Sequence, residues 1–129
     1  MASPAQKPKV LVIEDEDNIA LALDFLMTRE GYAPDRIANG GEAMARIRET
    51  HPDLVLLDVM LPEISGYEIC QSMRLDPNLS DVKILMMTAR GSAIERRKGI
   101  ALGADGFIAK PFELKELRDE VRRLLGQGG

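Results

Sequence analysis

In this chain four apolar runs each stop on residues that can do chemistry. Val10-Leu11-Val12-Ile13 meets Glu14 and Asp15, and Leu54-Val55-Leu56-Leu57 ends on Asp58. The run from Val82 to Met87, apolar apart from Lys83, ends on Thr88, and Gly106-Phe107-Ile108-Ala109 ends on Lys110. Unbroken apolar runs of this length predict strands buried on both faces, as in a parallel sheet. Such a sheet gathers its strand ends along one edge, where open α/β sheets bind their ligands. Asp58 alone could equally start the turn that Met60-Leu61-Pro62 continues. Buried strands have no structural need for four such endings, and together they point to a site.

Glu14, Asp15 and Asp58 would repel each other if brought together, each raising the pKa of its neighbours. A hard divalent cation relieves that repulsion, and oxygen ligands with spare water positions suit Mg²⁺. Lys110 offers a compact positive charge for a phosphoryl oxygen, and Thr88 a hydroxyl donor. A carboxylate beside a phosphoryl group clamped in this way is placed for in-line attack, giving an aspartyl phosphate. Positioning and charge neutralisation would carry the reaction; no general base is needed, because the carboxylate is already ionised. A dinucleotide site would instead need a Gly-rich turn after the first strand, where this chain has Glu14-Asp15-Glu16-Asp17. A dehalogenase-type phosphohydrolase is typified by a second acid two residues after its nucleophile; this chain has Met60 there.

The elements that must position these residues alternate along the chain. A first helix carries Ile19, Ala22, Leu23, Leu26 and Met27 at helical spacing and stops at Gly31. A more polar strand over 32–38 contains Pro34, which predicts a sheet edge. Asn39-Gly40 opens a second helix with Ala43, Met44 and Ile47 inward, and His51-Pro52-Asp53 is a turn. Ser65 to Glu68 and Ser92 to Glu95 are capping-box patterns opening the third and fourth helices. Gly99 inside the fourth helix costs about 1 kcal/mol relative to alanine, so this helix is expected to be the least firmly held. The last helix shows Leu114, Leu117, Val121, Leu124 and Leu125 on one face. Five strand–helix alternations predict a doubly wound five-stranded parallel sheet, (βα)5, with helices on both faces.

The 129 residues suit one domain, expected over 9–125, with a disordered lead-in at 1–8 and a frayed tail at 126–129. A net charge of −4 argues against direct nucleic-acid binding, and Arg96-Arg97-Lys98 and Arg122-Arg123 read as solvated helix faces. The single cysteine, Cys70, forms no internal disulfide and reads as a buried structural thiol in a reducing compartment. No apolar run approaches membrane-spanning length, and the cytoplasm is the expected location.

Val-Leu-Val-Ile-Glu-Asp-Glu, Leu-Val-Leu-Leu-Asp-Val-Met-Leu-Pro, Met-Thr-Ala-Arg and Gly-Ala-Asp-Gly-Phe-Ile-Ala-Lys-Pro-Phe resemble the signature blocks of a two-component response-regulator receiver domain. They run in order over nearly the whole chain, from about Lys9 to Leu125. The resemblance implies strand order 2-1-3-4-5. It implies that Asp58 accepts a phosphoryl group from a sensor histidine kinase or a phosphotransfer protein. Asp15, Asp58 and the Met60 backbone carbonyl would bind Mg²⁺, with Glu14 acting directly or through water. Thr88, the Ala89 backbone and Lys110 would contact the phosphoryl group, and Thr88 and Phe107 would be the switch pair. The Lys110–Pro111 peptide is usually cis in such domains. Output would pass through the face of the fourth helix, last strand and last helix to an effector, and the chain would act on no substrate but itself.

Met60, Arg90 and the Glu14–Asp15 pair resemble the subfamily that carries a winged-helix DNA-binding domain and dimerises on phosphorylation through that face. Arg96 and Glu116 match one of its cross-pairs, whereas Gly106 and Glu120 stand where an acid and an arginine are expected. A stand-alone regulator and a receiver cut from a longer protein both remain open. So does a receiver-like interaction module that works without phosphorylation.

Overall fold

The apolar runs form strands in the computed structural model, which describes residues 7–89 and 93–126. Lys9–Ile13 (β1), Ala33–Ile37 (β2), Leu54–Asp58 (β3), Lys83–Thr88 (β4) and Gly106–Ala109 (β5) pair in parallel in the order β2-β1-β3-β4-β5. The helices Asp17–Arg29 (α1), Ala43–Thr50 (α2), Gly66–Leu75 (α3), Ala93–Ala101 (α4) and Leu114–Leu124 (α5) alternate with them. The doubly wound architecture and the strand order are as expected. Arg90, Ser92 and most of the expected lead-in and tail lie outside the described residues.

Alternate residues of each central strand feed opposite cores. Leu11, Ile13, Val55, Leu57, Ile84 and Met86 pack with Ile47 of α2 and Ile69, Cys70 and Met73 of α3. Val10, Val12, Leu54, Leu56, Leu85 and Met87 pack with Leu23 and Met27 of α1 and Leu117 and Val121 of α5. This is why the central strands read as apolar runs: both faces are covered, so past an exposed first residue such as Lys9 or Lys83 no position is polar until the strand ends. Pro34 lies on β2, the edge strand, where a missing N–H can face away from the ladder.

Several local expectations are corrected. Ala22 is exposed, and Ala20 takes the inward place; at 100° per residue Ala22 lies about 100° from the centre of the buried stripe. Leu114 is 50% exposed, because it sits one turn before the packed segment Leu117, Val121 and Leu124. The second helix starts late: Gly40–Glu42 forms a 3-10 turn capped by Asn39, whose side chain accepts from the Glu42 N–H. Gly31 (φ 90°) ends α1 as expected. His51 caps α2 at φ 44° and meets the Asn78 carbonyl, a turn residue as read.

The basic helix positions are less idle than expected. Lys98 Nζ lies 4.3 Å above the Tyr67 ring, and the Tyr67 hydroxyl donates to Glu95, tying α3 to α4. Arg122 pairs at 2.6 Å with Glu30, the residue that caps the C-terminal end of α1. Gly99 is where α4 comes closest to the sheet: a Cβ there would lie 2.9 Å from Met86 Sδ and 3.3 Å from the Phe107 ring. Its helix-propensity cost therefore accompanies a close approach that alanine would block.

Arg74 fastens the end of the sheet away from the polar strand ends. Its guanidinium donates to the carbonyls of Gly103, Leu79 and Val82 and to Asp105 Oδ2, which also accepts from the Ile84 N–H at 2.8 Å. Half-buried groups so connected depend on a single side chain. Arg74→Met should lower unfolding free energy by about 2–4 kcal/mol, since it leaves the Asp105 charge without its cationic partner and the Gly103, Leu79 and Val82 carbonyls without the guanidinium donor. Urea unfolding measures this, and a loss no larger than that of an exposed arginine would refute it.

Candidate functional site

The strand register delivers the polar residues to one edge. Ile13 pairs with Leu57, so Glu14 stands level with Asp58; Asp58 pairs with Met87, one residue before Thr88. Thr88 pairs with Ala109, and the Lys110 N–H continues the ladder to the Thr88 carbonyl at 2.6 Å. The Val59 N–H likewise donates to the Met87 carbonyl at 2.9 Å, which holds the backbone beyond Asp58 in line. Gly66, at the start of α3, packs directly on that backbone; a Cβ there would collide with the Asp58 carbonyl. Ser65 caps α3 by accepting from the Glu68 N–H at 3.3 Å, as the capping pattern predicted.

Lys110 is the centre of the arrangement. Its ammonium lies 2.6 Å from Glu14 Oε1 and 3.2 Å from Asp58 Oδ2, although Glu14 and Lys110 are 96 positions apart. Asp58 Oδ1 accepts from the Met60 N–H at 3.1 Å, and Glu14 Oε2 from the Glu16 N–H at 3.1 Å. Glu14 is fully buried and Asp58 is 4% exposed, whereas Asp15 faces solvent. Thr88 is buried, Ala89 is exposed in the following loop, and the Met60 side chain is 65% exposed. The Lys110–Pro111 peptide is cis.

The carboxylates do not share the expected upward shift. Burial pushes the Asp58 pKa up, the negative charge of Glu14 adds to this, and the result is about 6 despite the Met60 N–H and Lys110. Burial also works to raise Glu14, but the Lys110 hydrogen bond and the Glu16 N–H outweigh it and hold its pKa below the usual value. Burial disfavours the Lys110 ammonium, yet Glu14 and Asp58 more than compensate and raise its pKa. The edge therefore holds one firmly ionised acid, one reluctant acid and a lysine between them.

Glu14, Asp15 and Asp58 can each offer a carboxylate oxygen within 4.8 Å of the others. The donors are all oxygen, two buried and one facing solvent, which suits a hard divalent ion that keeps some of its water. The residues present thus fit Mg²⁺.

Phe107 is not at this edge. Its ring is 4% exposed in the core beside Met86 and Gly99, under the Arg96 guanidinium at 5.7 Å. The expected site residues on the strand ends come together, while Phe107, expected to be the switch aromatic, packs one layer below.

Two contributors were not legible in the sequence. Arg36 of β2 donates from Nε and from its terminal nitrogen to the Glu14 carbonyl, at 3.0 and 2.9 Å. Nothing in the local pattern separates it from any polar residue of an edge strand. The Glu16 N–H that steadies Glu14 is a backbone group and has no sequence signal.

Asp58 ties this geometry to pH. A carboxyl whose folded pKa is about 6 favours folding when protonated; unfolded, it titrates near ~3.9. In metal-free protein this stability is present below pH ~4 and is lost as pH rises through about 6. Asp58→Asn should therefore be more stable than the parent chain at about pH 7, by about 1–2 kcal/mol after solvent screening. That gap should close by about pH 4. Urea unfolding with a chelator at both pH values checks this, and a gap independent of pH would contradict it.

Comparison with known proteins follows the same lines. The family model described as "Response regulator receiver domain" matches residues 10–122. The phosphate regulon transcriptional regulatory protein PhoB of Rhizobium meliloti (strain 1021) is 42% identical over 118 residues, 92% of this chain and 52% of that protein. The sensory transduction protein RegX3 of Mycobacterium tuberculosis (strain CDC 1551 / Oshkosh) is 39% identical over 93% of this chain and 52% of its own length. The chain thus spans about half the length of the curated relatives it matches. Among solved structures, the chemotaxis response regulator CheY4 of Vibrio cholerae superposes with a TM-score of 0.88 at 29% identity, covering 93% of this chain and all of that one. With its strand order, its edge chemistry and these matches, the chain belongs to the response regulator receiver domain family.

Proposed function

We propose that this chain is a phosphorylation-controlled signalling switch whose phosphoacceptor is Asp58. The observation that carries the proposal is the Asp58 carboxylate, almost wholly buried, 3.2 Å from the Lys110 ammonium and clustered with Glu14 and Asp15. The donor is a phosphohistidine of a sensor histidine kinase or phosphotransfer protein. The Asp58 oxygen forms the new P–O bond as the P–N bond breaks, and the departing imidazole takes the electron pair and then a proton from solvent.

Asp15, Asp58, the Met60 carbonyl and, directly or through water, Glu14 would hold Mg²⁺, which supplies positive charge to the acids and the transferring phosphoryl oxygens. Lys110 pairs with a phosphoryl oxygen, and Thr88 and the Ala89 N–H donate to others. Glu14 keeps Lys110 ionised and aimed, because its own charge is held by the Glu16 N–H as well. The chain turns over no outside substrate.

Drawing Thr88 toward the phosphoryl group would disturb β4 beside Phe107, since Met86 and Phe107 are register partners. α4 rests on that ring at Gly99 without an intervening side chain, so movement of the ring and of the helix are coupled. The output is a shift in the population of conformers of the α4–β5–α5 face. An effector or a second copy of the chain would read that face. The acidic chain itself is not expected to touch nucleic acid, and a cytoplasmic location follows from the partners proposed.

Incubation with a small acyl or amido phosphate, with and without Mg²⁺, tests the proposal by intact mass. One Mg²⁺-dependent phosphoryl group is expected, absent from Asp58→Ala and formed roughly 10²-fold more slowly in Lys110→Met. If the folded chain takes up no phosphoryl group under any condition, it is a binding module that works without phosphorylation. Sustained phosphate release from many phosphoesters would instead indicate a hydrolase.

A further inference from the structure

Of the four consecutive acids Glu14-Asp15-Glu16-Asp17, the first three join β1 to α1 and Asp17 opens the helix, and repulsion among them opposes any single arrangement of the loop. Pairing between β1 and β2 ends where the Glu14 N–H donates to the Ile37 carbonyl at 3.1 Å. One residue's worth of backbone later, the Glu14 carbonyl is taken up by Arg36: Nε and a terminal guanidinium nitrogen both donate to it, at 3.0 and 2.9 Å. The other terminal nitrogen pairs with Asp17 Oδ1 at 2.9 Å. One planar guanidinium therefore holds the first acid by its backbone and the last by its side chain.

The Glu14 carbonyl is an unusual place for such a clamp to act. It belongs to the peptide plane that also contains the Asp15 nitrogen, so fixing that oxygen fixes the direction in which the chain enters Asp15. Asp15 faces solvent, and nothing else described at the edge anchors it as Lys110 anchors Glu14 and Asp58. Of the three candidate cation ligands, it depends most on its backbone for its place.

We propose that Arg36 is a positioning residue for the cation-binding acids, setting the Glu14–Asp15 peptide so that Asp15 meets the ion at little ordering cost. This rests on the reading of Glu14, Asp15 and Asp58 as a Mg²⁺ site. The guanidinium has a second effect of opposite sign, because its charge repels an incoming cation. Geometry and charge can therefore be separated by substitution. Lysine keeps the charge but cannot make the two-pronged bond to one carbonyl, and methionine removes both.

Titration calorimetry with MgCl₂ at fixed ionic strength, on the parent chain, Arg36→Lys and Arg36→Met, reads the ion directly. Both variants are expected to bind Mg²⁺ about 3–10-fold more weakly, with native circular dichroism. The Mg²⁺-induced rise in unfolding midpoint should shrink in parallel. Unchanged affinity in both variants, with only metal-free stability lowered, would make Arg36 a structural ion-pair residue and overturn the proposal while leaving the cation site standing. Tighter binding by Arg36→Met with Arg36→Lys unchanged would show that charge alone matters, and would overturn it too. A parent chain that binds no Mg²⁺, alongside an equally silent Asp15→Ala control, would remove the cation site and this proposal with it.

Discussion

Burying two carboxylates side by side is the problem this fold has to solve, and the Lys110 ammonium between Glu14 and Asp58 is the solution. Charges taken out of water are tolerated only when paired and hydrogen-bonded. A lysine serving two acids leaves one negative charge in excess, and the pair responds unequally. Glu14, with the shorter contact and the Glu16 N–H, stays ionised; Asp58 carries the cost as a raised pKa. The arrangement is poised: a cation that brings positive charge to Asp58 relieves a repulsion the fold cannot relieve alone.

That pairing constrains the rest of the sheet. Lys110 must leave β5 level with the ends of β1 and β3, which requires β4 to lie between β3 and β5 in the observed register. Gly66 must be glycine so that α3 can begin against the Asp58 backbone. Gly99 has a similar role one layer down, where α4 settles on Met86 and Phe107. Both are places where a missing Cβ lets an element approach the strands that carry the chemistry. The edge and the α4–β5 region are thus linked by contact, through the Met86–Phe107 layer.

The basic side chains of α4 and α5 show how much of a helix surface can be spoken for. Arg96 lies over Phe107, Lys98 over Tyr67, and Arg123 pairs with Glu120 of its own helix. Arg123 also reaches the Asp105 carbonyl at 3.4 Å, beside Gly106. Charges engaged within the chain are less free to meet those of a second copy, and the two departures from the subfamily's pairing pattern, Gly106 and Glu120, fall in this same neighbourhood. A reader of this face would meet a surface different in detail from that pattern.

Much of this was written in the sequence because burial on both faces of a parallel sheet forces an unmistakable pattern. Strands such as Leu54–Asp58 can hold nothing but apolar residues until they end, so the first polar residue marks both the strand's end and the shared edge. The strand–helix alternation, the edge strand with Pro34 and the set Glu14, Asp15, Asp58, Thr88 and Lys110 were all legible on that ground. What the tertiary structure alone decided were features that depend on distance between remote residues. These include which acid Lys110 holds closest, the opposite pKa shifts of Glu14 and Asp58, the reach of Arg36 to the Glu14 carbonyl and the reason for Gly99. Ala22 and Leu114 were misplaced for a related reason: helical spacing gives the angle around an axis, whereas burial also depends on where along that axis the neighbouring layer begins and ends.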